Sequence, residues 1–290
     1  MKQCYWVDAF TETRFGGNPC CVVFAADDVS AEDRIAFTVE TGLVECAFVV
    51  RSDKADFGAR YYMATGEIPL AGHPTVATVT ALIAAGLVSA PSDFTLEVGA
   101  GVMRIEVRVK EGRPPVVVMT QPAPVFGKEY DPAEVAALYG LPAIDVAGTP
   151  RTVSTGSPFL VTRLGSVNAL RSAKLDVEAL ARFKEARRAD FMEPFLFVTK
   201  GATGEGETFA RLLMPPPLPP EDPFTGSATG CMAAYLFSQS LVARRFVAEQ
   251  GHDMGRPGRA EVELIGPSSA IEGVKVGGAG VVVMRGEVDL

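Results

Sequence analysis

Histidine is nearly missing from this chain. Only His73 and His252 occur among 290 residues, which excludes a histidine-rich metal centre. Cysteine is sparse as well. Cys4, Cys20, Cys21, Cys46 and Cys231 make an odd set of five with no C-x-x-C pair. Neither a disulfide framework nor a thiolate zinc site fits that set, and a reduced, cytoplasmic setting is expected. Basic runs stop at pairs such as Arg187-Arg188 and Arg244-Arg245, read as solvated helix faces. With a net charge of −8, nucleic acid is not an expected partner. No stretch of 18 uncharged apolar residues exists, so no membrane span is expected. The opening Met1-Lys2-Gln3-Cys4-Tyr5-Trp6-Val7-Asp8 reads as a strand, because no apolar run follows a basic one as in a signal peptide. The nucleotide fingerprints G-x-G-x-x-G after the first strand and G-x-x-x-x-G-K-[ST] are also missing.

What remains is an ordinary globular composition, 48% hydrophobic and 21% charged. At this length it serves one large domain or two of common size. Residues 4–10 and 20–25 read as strands around the turn Gly16-Gly17-Asn18-Pro19. Ser30 caps a helix over 31–41 that Gly42 closes. Strands follow at 44–51 and 58–63, a helix at 74–85, and a meander at 94–98, 102–109 and 115–119. Gln121-Pro122-Ala123-Pro124 is the best linker candidate. It divides a half at 1–120 from a half at 121–290, with the last strand able to pack back on the first half. The second half has helices at 132–139, 176–187 and 227–240. Its strands fall at 152–155, 158–163, 194–199, 207–213, 260–265, 270–276 and 279–288. Many strands with few helices between them give an α+β class.

The most informative stretch is Glu221-Asp222-Pro223-Phe224-Thr225-Gly226-Ser227-Ala228-Thr229-Gly230. An earlier stretch, Gly66-Glu67-Ile68-Pro69-Leu70-Ala71-Gly72-His73-Pro74-Thr75, reads as its twin. Each has an acidic residue, a proline, then a glycine that opens an Ala/Thr-rich helix. Upstream, Ala59-Arg60 matches Ala210-Arg211, and Phe48-Val49-Val50 matches Phe197-Val198-Thr199. The offset is 151 at the Ala-Arg pairs (59 to 210) and 154 at the glycines (72 to 226). The difference falls in Pro215-Pro216-Pro217-Leu218-Pro219-Pro220, where an insertion makes a loop. We read a duplicated half. Two helix N-termini of this kind each offer unpaired N–H groups and the positive end of a dipole, suited to a carboxylate.

Five segments in order resemble the phenazine-biosynthesis isomerase (PhzF-like) family, of the diaminopimelate-epimerase-like fold. They are Val7-Asp8-Ala9-Phe10-Thr11, Phe15-Gly16-Gly17-Asn18-Pro19, Glu45 before an apolar strand, the first twin motif through Gly72-His73, and Glu221 to Ala228. The resemblance implies two similar halves, each a β-barrel-like mixed sheet around a central helix, with the active site in the cleft between them. It implies a homodimer and chemistry without a cofactor or metal. The expected activity is a proton shift within a small carboxylate-bearing metabolite, as in trans-2,3-dihydro-3-hydroxyanthranilate isomerase. A dehydratase or racemase of a proline-like or amino-acid substrate, or a binding homologue without turnover, are the rival readings. Epimerases of this fold use one cysteine from each half. Ala71 and Thr225 stand at the matching positions, which disfavours two-thiol chemistry.

Glu45 is the leading acid/base candidate, a lone carboxylate beside an apolar run whose burial would raise its pKa. The plain alternative is a strand-end glutamate that reaches solvent or pairs with arginine. His73 at a helix start suits a neutral donor, since the dipole disfavours the cation, or it simply caps the helix. Asp222 would hold a substrate amine or hydroxyl, or it merely starts an Asp-Pro turn. Gly72, Gly226 and Ser227 would supply amides to the substrate carboxylate, or only make tight turns. Asn18 would line the site or serve its turn. Cys46 and Cys231 read as small core residues, and His252 as a surface loop residue.

Overall fold

A computed structural model describes all residues, Met1–Leu290. In chain order the first elements are β1 (Lys2–Ala9), β2 (Asn18–Val23), α1 (Ala31–Thr41), β3 (Cys46–Val50), β4 (Phe57–Met63) and β5 (Gly66–Ile68). Then come α2 (Gly72–Ala84), β6 (Ser92–Val98), β7 (Gly101–Arg108), β8 (Val116–Pro122) and β9 (Val125–Glu129). Next are α3 (Pro132–Ala137), β10 (Arg151–Ser154), β11 (Pro158–Arg163), α4 (Val167–Ser172), α5 (Val177–Arg187), β12 (Glu193–Val198) and β13 (Thr208–Leu213). The chain closes with β14 (Glu221–Asp222), α6 (Gly226–Ser238), β15 (Arg245–Gln250), β16 (Gly258–Ile265) and β17 (Gly273–Val288). The class is α+β.

The chain divides into two compact units. The first holds Met1–Thr120, Gly255–Ala260 and Val276–Leu290, and the second holds Gln121–Met254 and Glu261–Lys275. In the first unit the strands close into a ring. β1 pairs antiparallel with β2, β2 parallel with β3, β3 antiparallel with β4, and β4 parallel with β6. β6, β7 and β8 continue antiparallel, β8 pairs with β17, and β17 returns antiparallel to β1. This is a closed eight-stranded barrel, which leaves no edge among its members. α2 is buried on nearly every face and packs on β1, β2 and β3. A helix apolar all round belongs inside a core.

The second unit repeats the pattern. β11 runs parallel to β12, β12 antiparallel to β13, β13 antiparallel to the short β14 and parallel to β15. β2, β3, β4, β5 and β6 have the same relations in the first unit, and α2 follows β5 as α6 follows β14. α2 and α6 are each 13 residues long. The likeness reaches side chains. Ser52 Oγ donates to Glu97 at 2.5 Å, and Thr203 Oγ1 donates to Glu249 at 2.5 Å. Arg60 pairs with Glu67 as Arg211 pairs with Glu221.

Several expectations need correction. The strand expected at 44–51 begins only at Cys46, so Glu45 stands just before it, as the motif reading has it. The ladder aligns Ala59 with Val49 and Ala210 with Phe197, so Phe48 corresponds to Leu196, one place from the sequence match. Gln121 and Pro122 end β8 and the Gln121 side chain is buried, so this segment is not a free linker. Arg245 begins β15 and is not on a helix, because Phe246, Ala248 and Gln250 alternate inward. The strands expected at 270–276 and 279–288 are one strand, β17, which starts only at Gly273. Its glycines make close approaches rather than a turn. A Cβ on Gly278 would stand 2.3 Å from Phe10 Cδ1, and one on Gly280 would stand 2.2 Å from Thr80 Oγ1.

Candidate active site

In the first unit the site is built from a clamped turn. The Asp8 carboxylate, on β1, accepts from the Phe15 N–H and from Arg256 Nη2, both at 2.6 Å. Arg256 also donates to the carbonyls of Gly16 and Gly17 at 2.9 Å. Gly17 has φ +52°, and a Cβ there would meet the Ala9 carbonyl oxygen at 2.0 Å, so only glycine fits. This turn delivers Asn18 to the start of β2, fully buried.

Asn18 Nδ2 lies 3.1 Å from His73 Nδ1 and donates to it. That bond places the ring proton on Nε2. Nε2 is buried and has no partner within the protein. Glu45 Oε2 stands 3.5 Å from His73 Nδ1, close enough for electrostatic contact but longer than the amide bond. Burial pushes the imidazole down to about 3, so the ring is neutral. The cause is desolvation of the buried ring. Proximity to the Glu45 charge also acts on Tyr61, Cys20 and Cys46, whose ionisations burial has already pushed upward. The carboxylate thus sits among neutral, desolvated groups.

α2 begins at Gly72 with Ala71 as its cap residue, whose side chain makes no cap bond. Tyr61 and Thr75 fix that end instead. Their oxygens are 2.8 Å apart, and Thr75 Oγ1 donates to the Ala71 carbonyl at 2.7 Å.

In the second unit Asp222 is buried on β14, and Thr225 Oγ1 donates to its Oδ2 at 2.5 Å. Thr225 is the cap residue of α6, again without a side-chain cap bond. Thr229 Oγ1 donates to the Thr225 carbonyl at 2.9 Å, as Thr75 does in the other unit. Gly226 is buried and its carbonyl accepts from Gln121 Nε2 at 2.9 Å. Ser227 is half-buried on the first turn of α6. Glu221 is held bidentately by Arg211, at 2.9 and 2.7 Å, and serves the fold. No cluster of three or more His, Cys, Asp or Glu side chains is placed to hold a metal.

The sequence profile of the phenazine biosynthesis-like protein family, PhzC-PhzF, matches residues 7–286. The chain belongs to this family. It is 30% identical over 298 residues to the trans-2,3-dihydro-3-hydroxyanthranilate isomerase of Pseudomonas aeruginosa, with all of both chains covered. It is 28% identical over 266 residues to an uncharacterized isomerase, YfhB, of Bacillus subtilis, covering 89% of this chain and 88% of that one. A PhzF-family phenazine biosynthesis protein from Bacillus anthracis superposes with a TM-score of 0.89 at 26% identity, covering 100% and 99% of the two chains. A probable proline racemase from Agrobacterium radiobacter, at 13% identity and TM-score 0.69, shares the fold. Like its named relatives, the chain is an isomerase.

Within this PhzF-like family member, the structure joins Glu45, His73 and Asn18 in the first unit. It joins Asp222, Thr225 and Gly226 in the second. Asn18 bonds to His73 through its side chain and does more than serve its turn. Sequence reasoning missed Arg256, Gln121 and Gln250. The Gly255-Arg256-Pro257 and Gln250-Gly251 segments look like loop punctuation, and nothing in their spacing reveals which turn each one clamps. His252 is partly buried with its ring edge-on to Phe209, not a plain surface loop residue. No helix is long and apolar enough to cross a membrane.

Proposed function

We propose that this isomerase moves a proton within a small carboxylate-bearing metabolite of the trans-2,3-dihydro-3-hydroxyanthranilate type. The observation that carries the reading is the buried His73 Nε2–H without a protein partner, held by Asn18 beside the Glu45 carboxylate. A buried donor left without a partner is costly unless a ligand uses it.

Glu45 takes a proton from an acidified carbon, breaking a C–H bond and forming its own O–H. It returns that proton to another carbon of the same molecule as the double bond moves. His73 donates from Nε2 to a substrate oxygen or nitrogen and stays neutral throughout. Asp222 accepts from a substrate amine or hydroxyl. The amides at the helix starts, Gly72 and His73 on α2 and Gly226 and Ser227 on α6, are each suited to a substrate carboxylate. Exclusion of water keeps the shuttled proton from exchanging. No cofactor enters these steps. The same reading has the protein working as a cytoplasmic homodimer, which sedimentation velocity checks.

The test is turnover of trans-2,3-dihydro-3-hydroxyanthranilate in deuterated water, followed by NMR. The reading expects isomerised product with the migrating proton transferred internally; a deuteron incorporated at carbon would show that the site does not exclude water. Binding that raises the melting temperature without turnover would overturn it in favour of a metabolite-binding protein. A racemase using paired thiols is disfavoured by Ala71 and Thr225, and by the burial of all five cysteines.

A further inference from the structure

Gln250 ends β15 and is buried to 1% exposure. All of its side-chain bonding goes to one turn. Its Oε1 accepts from the Thr225 N–H at 3.1 Å. Its Nε2 donates to the Asp222 carbonyl at 2.8 Å and to Thr225 Oγ1 at 3.3 Å. Thr225 Oγ1 in turn donates to the Asp222 carboxylate. The bonds therefore run in one direction, from the Gln250 amide to the Thr225 hydroxyl to the carboxylate. Each bond polarises the next.

The first unit acts as an internal control. Gly58 faces Glu97 across the β4–β6 ladder, and Phe209 faces Glu249 across the β13–β15 ladder. One residue onward, Val98 is the counterpart of Gln250. Val98 is buried and apolar, and there a backbone bond from the Ala100 N–H reaches the Pro69 carbonyl at 2.8 Å. The strand pairing and the following helix thus form without an amide side chain at this place. The architecture does not require Gln250.

We propose that Gln250 is a positioning residue for Asp222. It fixes the turn and orients the Thr225 hydroxyl, and so sets which carboxylate oxygen is turned to the substrate. The inference rests on the reading of Asp222 as a substrate-holding group. Gln250→Glu is the sharpest probe. It keeps shape and the acceptor for the Thr225 amide, but an ionised carboxylate draws the Thr225 proton away from Asp222. Gln250→Leu removes both functions.

Each variant should lower kcat/KM by about 100-fold, the scale of an ångström-sized misplacement, while kcat falls more than KM rises. In an Asp222→Asn background, Gln250→Leu should add less than about 2-fold, because residues acting as one unit are not additive. Near-normal turnover in both variants, or losses that simply multiply, would overturn the proposal. Should Gln250→Leu fail to fold, the isosteric Gln250→Glu decides. Amide hydrogen exchange separates this idea from the functional reading. Loss of protection at the Thr225 N–H but not at Thr229 in Gln250→Leu supports the clamp even if the dihydroanthranilate probe is not turned over. Equal protection in both proteins sinks it.

Discussion

Acid should destabilise this protein through His73 by an amount that can be isolated. The imidazole titrates near 6.5 in an unfolded chain, but burial pushes it down to about 3 in the folded one. Between those values the unfolded state binds a proton that the folded state refuses. Stability is therefore fully present above about pH 6.5 and falls as pH drops toward 3. The linkage is about 1.4 kcal/mol per pH step, which gives about 2 kcal/mol lost by pH 5 and approaches about 5 kcal/mol near pH 3. Urea unfolding from pH 7 to 4 measures it, for the wild type and His73→Gln. The single tryptophan, Trp6, lies on β1 and reports the unit that holds His73. Other carboxylates titrate alike in both proteins and cancel, so the wild-type curve should fall more steeply by the amounts above. The competing influence is Glu45 at 3.5 Å, whose ionised form favours a protonated ring. Identical slopes would mean that His73 takes up a proton in the folded state. It would then be an ion-pair partner of Glu45, and the neutral-donor mechanism would be refuted.

Glu45→Gln should lower kcat about 100- to 10,000-fold with substrate binding largely kept; a near-normal kcat removes the proton shuttle. Thiol alkylation of the native protein at neutral pH should be slow and harmless, since all five cysteines are buried and burial pushes Cys231 to about 11. Rapid stoichiometric labelling with inactivation contradicts this. Arg256→Ala should cost somewhat less than the about 3–5 kcal/mol of a fully buried pair, because Arg256 is partly exposed while Asp8 is not. A loss under about 1 kcal/mol in urea would show that the turn holds itself. Gly230→Ala should destabilise by about 1–3 kcal/mol, because its Cβ would lie 1.9 Å from Gln121 Oε1 and break the bond to Gly226; an unchanged melting curve argues against that bond.

Much of the fold is legible in the sequence because the duplicated motifs carry it. Gly72 and Gly226 do open the two motif helices, a residue or two before the ranges 74–85 and 227–240, while the short strands Gly66–Ile68 and Glu221–Asp222 are not among the expected elements. Glycine, proline and capping residues act locally, so they can be read locally. What escapes is set by neighbours distant along the chain. Gly278 resembles a break in a strand until the Phe10 ring is seen against it. The candidate site follows the same division. Glu45 and His73 stand out by chemical rarity in their segments, but their contact at 3.5 Å depends on the β2–β3 ladder and on Asn18. Arg256 and Gln250 escape notice because their side chains serve turns far along the chain, at Gly16-Gly17 and Asp222–Thr225.

The ring in the first unit pairs Lys2 with Val288. On a ribosome, the strand that opens the barrel is made far ahead of the strand that closes it. Until β17 arrives, β1 and β8 each present an unpaired edge, which in a nascent chain invites pairing with neighbours. The Glu45–His73–Asn18 cluster lies on elements synthesised long before that closure. The second unit, whose last segment ends at Lys275, can finish folding first. Folding order and chain order are thus reversed for the two units. A released chain ending at Lys275 should be protease-resistant over Ala123–Met254 and labile over β1–β7.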